Sequence, residues 1–115
     1  MFLKLNHQNL EVYKASLDFV TECYRICQAL PPEERFGMIS QIKRASLSVH
    51  LNIAEGASRK SPRERKRYYE VSRGSMVEID AAFDIAARLG FLKNYNLSEL
   101  GTKTTHCFKL LCGMI

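Results

Sequence analysis

Gln41, Arg44, Ser48, Asn52 and Glu55 recur at steps of three and four in the stretch "QIKRASLSVHLNIAEG". Wound as a helix, at about 100° per residue, they fall in one narrow strip. Ile39, Ile42, Ala45, Val49 and Ile53 lie to one side of it, and Phe36, Leu47, Leu51 and Ala54 to the other. An arginine, an amide and a carboxylate on one strip are groups able to hold an anion or orient a substrate. No nucleophile with an adjacent base and no spaced set of metal ligands accompanies them, so the strip does not by itself make a catalytic site. A polar strip between apolar flanks fits a hydrogen-bonded network at a bundle edge. There Arg44 would face a carboxylate such as Glu55 or Glu78, because leaving a buried polar group unpaired costs about 1–3 kcal/mol. It also fits the lining of a subunit interface or central channel, where polar side chains fix register. A solvated stripe is the plain alternative.

The second chemistry-bearing stretch is cationic. Arg59, Lys60, Arg63, Arg65, Lys66, Arg67 and Arg73 share a short segment with only Glu64 and Glu70 as acids. The net charge of the whole chain is +5, and the basic and acidic residues outside this segment cancel. With the helical phase extended back through Arg59, the residues Arg59, Arg63, Lys66, Arg67 and Arg73 share one side. Tyr68, Ser72, Ser75 and Ile79 point nearly opposite. Exposed, concentrated cations are the footprint of a phosphate-binding surface. Arg59, Lys60, Arg63, Lys66, Arg67 and Arg73 are therefore the candidate contacts to RNA or DNA. Tyr69 is close enough in sequence to stack on a base, but its place in the repeat puts it in the packing. The alternatives are a solubilising helix end, or a patch for an acidic protein partner. Nothing suggests base-specific readout.

Other chemistries find little support. His7, His50 and His106 are dispersed, and His106-Cys107 has no spaced partner to complete a zinc site. Cys23, Cys27, Cys107 and Cys112 form no C-x-x-C pair and read as free buried thiols in a reducing compartment. The glycines are isolated, without a P-loop or dinucleotide fingerprint. Ser58, Ser61 and Ser75 suit a turn, a cap and close packing better than nucleophilic roles. No cofactor or metal is expected. No apolar run reaches the length of a membrane span, and "MFLKLNHQNLEVYK" lacks the apolar stretch of a secretory signal, so the expected location is cytoplasmic.

The elements that must position these groups are helical. The chain has 115 residues, 46% of them apolar, with no Trp, few Gly and few Pro, which favours helix and one core in one domain. The first helix is expected over about residues 10–30. One stripe holds Leu10, Tyr13, Leu17, Val20, Tyr24 and Cys27; Val12, Phe19, Cys23, Ile26 and Leu30 make a second. Pro31-Pro32 stops it. Pro32 suits the first position of the next helix, expected over 33–55, with Gly56 as its terminating residue. Ser61-Pro62-Arg63-Glu64 reads as a capping box opening a third helix over 62–89. Its seam is Tyr68, Ser72, Ser75, Ile79, Ala82, Ala86 and Leu89, and Gly90 ends it. Gly74-Ser75 in mid-helix suggests close approach by another backbone. The fourth helix, 98–112, keeps a face of Leu97, Leu100, Thr104, Phe108 and Leu111 despite weak propensity. Short connections between long helices favour an all-α, antiparallel up-down-up-down four-helix bundle. The double stripes are wider than one bundle face needs, and read either as thick packing or as a second buried surface made by self-association.

From Leu10 through Ser61 ("LEVYKASLDFVTECYRICQALPPEERFGMISQIKRASLSVHLNIAEGASRKS") and on through "KRYYEVSRGSMVEIDAAFDIAARLGFL", the chain resembles a family. It is the small four-helix-bundle family often encoded by intervening sequences inside 23S ribosomal RNA genes. The most specific matches are Arg44, Ser48 and the string Asn52-Ile53-Ala54-Glu55-Gly56, followed by Gly74-Ser75 with Glu78. His50 departs from the pattern. The resemblance implies an antiparallel four-helix bundle that assembles into a homopentamer without established enzymatic activity. A relative of the family is the accessory protein of diversity-generating retroelements, a basic pentameric barrel that binds nucleic acid and works with a reverse transcriptase. By analogy, that kinship adds weight to nucleic-acid binding here.

Overall fold

Local chemistry sets most helix boundaries. The computed structural model describes residues 1–115 and contains four α-helices and no strand. They are α1 (Glu11–Cys27), α2 (Met38–Ala57), α3 (Pro62–Arg88) and α4 (Ser98–Gly113). Short 3-10 turns cover Asn6–Asn9 and Pro32–Glu34. At the start of α3 the Ser61 hydroxyl accepts the Glu64 N–H and Pro62 occupies the first turn, as the capping-box pattern requires. Gly90 ends α3 with φ +80°, and the Phe91 N–H reaches back to the Ala86 carbonyl at 3.0 Å. This is the six-to-one bond of a Schellman turn, which needs a left-handed residue that glycine supplies without strain. The fourth helix is opened by Asn96, whose Oδ1 accepts the Ser98 N–H at 3.0 Å.

The second helix begins later than its proline signal suggests. Pro32–Glu34 form only a 3-10 turn, and Gly37 has non-helical dihedrals before Met38 starts α2. The Glu34 carboxylate bends forward to accept the Met38 N–H at 3.2 Å, so the acid-rich turn caps α2 instead of forming its first residues. At the other end, Gly56 lies inside α2 and is buried, not placed beyond it. A Cβ there would come within 2.9 Å of the Tyr68 Cβ and 3.0 Å of the Tyr69 ring. The absent side chain is what lets α2 and α3 approach. Gly74 is the reverse case. A Cβ there would meet nothing within 4 Å, so the close contact expected at this position is not made inside the chain.

The core runs through all four helices. Phe19, Cys23 and Ile26 of α1, Ile42, Val49 and Ile53 of α2, Met76, Ile79 and Ala86 of α3, and Cys107 and Leu111 of α4 form its centre. On α1 the inward stripe is Val12, Phe19, Cys23, Ile26; Leu10 and Leu17 of the other stripe stay exposed. Which of two apolar stripes turns inward depends on where α2 and α4 dock, and the α1 spacing does not contain that information. Helices α2 and α3 share the most extensive seam, while α3 and α4 meet least. Along the α2–α3 seam, Gln41 meets Glu78, Ser48 meets Ser75, Val49 meets Ser72 and Gly56 meets Tyr68. Cys23, Cys27 and Cys107 are buried free thiols, whereas Cys112 is exposed. Burial pushes the Cys107 thiol up to about 12 and raises Cys23 and Cys27 as well. No helix is long and apolar enough to cross a membrane.

Candidate nucleic-acid interface

The polar strip of α2 divides when seen in three dimensions. Its middle belongs to the α2–α3 seam. The Ser48 and Ser75 hydroxyls are 2.9 Å apart, and the Asn52 amide donates to the Ser48 carbonyl at 2.8 Å. One turn deeper, the fully buried Ser72 hydroxyl donates to the Val49 carbonyl at 2.8 Å. These are neutral bonds between short side chains and backbone, each worth about 1 kcal/mol net. The ends of the strip face outward. The Gln41 amide donates to Glu78 at 2.7 Å, and Glu55 takes Arg59 at 2.6 Å. Both carboxylates considered as partners for Arg44 are therefore engaged elsewhere, and Arg44 is exposed without an ion pair.

The basic segment is placed by that same seam. Arg59 lies in the turn after α2, not on α3, because the chain reverses between Ser58 and Ser61. Its guanidinium sits 5.1 Å from the Tyr68 ring centre and donates to the Tyr68 hydroxyl at 3.0 Å. Arg59 is thus tied to Glu55 and Tyr68, and its Nε is closed off from solvent without an acceptor. Arg65 also turns inward along the chain. It donates to the Arg59 carbonyl at 2.8 Å and the Lys60 carbonyl at 2.9 Å, clamping the turn onto the first coil of α3. Sequence spacing counts Arg65 as one more cation; its clamping role appears only once the turn is folded.

The other cations remain free. Lys60, Arg63, Lys66 and Arg67 are exposed and none makes an ion pair. Arg73 is half-buried nearly two turns further along, also without a carboxylate partner. Tyr69 is 3% exposed and its hydroxyl is pushed up by burial, so it packs and does not stack on a ligand. Tyr68, next to Arg67, is half-buried and its ring is occupied by Arg59, so the edge attracts phosphates by charge.

A family model described as "23S rRNA-intervening sequence protein" matches residues 8–113. The chain belongs to the 23S rRNA-intervening sequence protein family. None of the curated proteins matches it. The matched span includes every helix of this family member, from the start of α1 to the end of α4, and with them both the polar strip and the basic edge.

Two polar sites of the chain lie outside the sequence candidates. Glu22 is buried in α1, where Arg25 pairs with it and Lys103 of α4 approaches to 3.8 Å. The Arg25 hydrogen bond holds its carboxyl below the usual carboxylate range, against the opposing effect of burial. Its place among apolar neighbours at helical spacing is visible in the sequence, but its approach by Lys103, far along the chain, is not. His50 has its Nδ1 2.7 Å from the Ser16 hydroxyl and its ring 4.6 Å from that of Tyr13. Burial lowers its pKa, with His7 adding a smaller effect. Ser16 is closed to solvent, so this serine–histidine pair joins α1 to α2 and cannot attack an outside substrate.

Proposed function

We propose that the protein is a non-enzymatic homo-oligomer that binds nucleic acid through the edge made by Lys60, Arg63, Lys66 and Arg67. In this reading its helices form an antiparallel up-down-up-down bundle, and five bundles assemble as the family resemblance implies. The observation that carries the reading is the exposure of those four cations without an ion pair, in a segment where they outnumber Glu64 and Glu70. Counter-ion release from phosphates gives such a surface its affinity, independent of base identity. The fall of α3 partner numbers as α2 numbers rise supports the antiparallel order.

Support for assembly comes from apolar side chains that the single bundle leaves uncovered. Leu47 and Leu51 of α2 and Val71, Val77 and Ile85 of α3 are large apolar residues that stay exposed, as does Leu89 at the end of α3. Gly74 of α3 is exposed too, with open space where a Cβ would stand. A second copy's helix seated there would bury these side chains, and a small residue permits close approach. Repetition of the basic edge around a ring multiplies the field seen by a polyanion.

The test is fluorescence anisotropy with generic RNA and DNA at low ionic strength, alongside light scattering for mass. The reading expects binding by an oligomer and its loss in Arg63→Glu with Arg67→Glu. Binding to polyglutamate in place of nucleic acid would replace this reading with an acidic protein partner, and a monomer at working concentration would remove the assembly.

A further inference from the structure

At the opposite end of the bundle from the basic edge, an open pocket of about 640 Å³ lies between the last turns of α1, the connection after it and the first turns of α2. Its lining contains Arg25, Arg35 and Lys43 and no carboxylate. Glu22, beneath Arg25, offsets one of these charges. Arg35 and Lys43 form no ion pair. Both are placed by aromatic rings instead. Lys43 Nζ stands 5.1 Å from the Tyr24 ring centre, and the Arg35 guanidinium 5.7 Å from that of Phe36. A cation over a ring keeps its charge available to an anion, whereas a cation in a salt bridge does not. Phe36 itself is 90% exposed at the end of this connection.

The rest of the lining limits the ligand. Ile39 and Leu30 give an apolar wall and Gln28 an amide able both to donate and to accept. The volume is in the range of about 300–1,000 Å³ typical of small-molecule sites, far larger than a phosphate ion fills. The N-terminus of α2 does not supply the anion site, because Glu34 already takes the Met38 N–H. The fitting ligand is anionic at one end and flat, partly apolar and hydrogen-bonding at the other.

We propose that this pocket binds a nucleoside phosphate, with the phosphate between Arg35 and Lys43 and the base against the Ile39 wall within reach of Gln28. The site is separate from the α3 edge and does not depend on the function proposed for it. A free nucleotide and the terminal nucleotide of a strand share this chemistry.

Isothermal titration of the full chain with nucleoside monophosphates, with adenosine and with inorganic phosphate tests the assignment. Saturable binding of at least one monophosphate is expected, with adenosine and phosphate each about tenfold weaker or more. Lys43→Met and, separately, Arg35→Gln should each weaken the nucleotide by about tenfold, while circular dichroism confirms that each variant is folded. Arg63→Glu with Arg67→Glu should leave this binding unchanged. A 5′-phosphorylated trinucleotide that binds like the monophosphate assigns the strand end; one that does not bind assigns the free nucleotide. Absence of heat with every monophosphate at millimolar concentration, or binding that survives both pocket variants, overturns the proposal.

Discussion

The α2–α3 seam and the α1–α4 seam hold the same bundle by different means. Between α2 and α3, backbone approach at Gly56 and neutral bonds from Ser48 and Ser72 do the joining. Between α1 and α4, charged side chains accompany the apolar packing. Buried Glu22 has Arg25 beside it and Lys103 at 3.8 Å, Lys103 also lies 3.7 Å from Glu99, and His106 is 3.7 Å from Glu11. On the α1–α4 side the buried carboxylate Glu22 is met by Arg25 and Lys103. On the α2–α3 side, Arg59 and Arg65 are engaged by the fold, while Arg63, Lys66 and Arg67 of α3 are exposed without an ion pair. A seam built without ion pairs leaves an electrostatic surface available for a ligand.

The largest effect expected from this contrast is at Gly56. Gly56→Val would force α2 from Tyr68 and Tyr69 and cost about 3 kcal/mol, the upper part of the usual overpacking range. Urea denaturation measures it; a loss near zero would show that the helices do not touch as closely as the backbone geometry implies. Ser72→Ala comes next, at about 1 kcal/mol, since it removes one buried bond to the Val49 carbonyl. The α1–α4 seam should respond to acid instead. The folded Glu22 carboxyl titrates below its ordinary value of 4.5, so its stabilising contribution is complete above that pH and is lost as the pH falls through the lower folded value. His50 acts in the same direction in a higher window. Its folded pKa is below 6.5, so acidification past 6.5 penalises the folded state progressively. In melting curves at stepped pH, Glu22→Gln should flatten the carboxylate part of the decline and leave the histidine part in place. An unchanged profile would mean that Glu22 titrates as it does in the unfolded chain. The smallest effect belongs to Ser48→Ala, about 0.5 kcal/mol, because water can replace a half-buried hydroxyl partner.

Residues that act on their near neighbours could be read from the sequence. Ser61, Pro62 and Glu64 announced the start of α3, and Gly90 its end, because caps and left-handed turns are decided within four or five residues. The apolar repeats gave four helices and most of the core for the same reason. Pro32 misled because a proline fits the first turn of a 3-10 segment as well as that of an α-helix, and Gly37 then separated it from α2. Gly56 had two local meanings, terminator or contact, and only the position of Tyr68 distinguishes them. In the candidate interface, concentration of charge was legible and its engagement was not. Arg59 and Arg63 look alike in sequence, yet one is tied to Glu55 and Tyr68 while the other is free. The cationic pocket of α1 and α2 was also hidden, since Arg25, Arg35 and Lys43 come from three elements and form no run.

The most direct test of the basic edge is the salt dependence of nucleic-acid affinity, measured for the wild type and for Arg63→Glu with Arg67→Glu. The account predicts a steep linear fall of log affinity with log salt in the wild type, and a slope reduced by about 2 in the double variant for each copy in contact. Affinity that does not depend on salt, or a slope unchanged by reversing both charges, would contradict it.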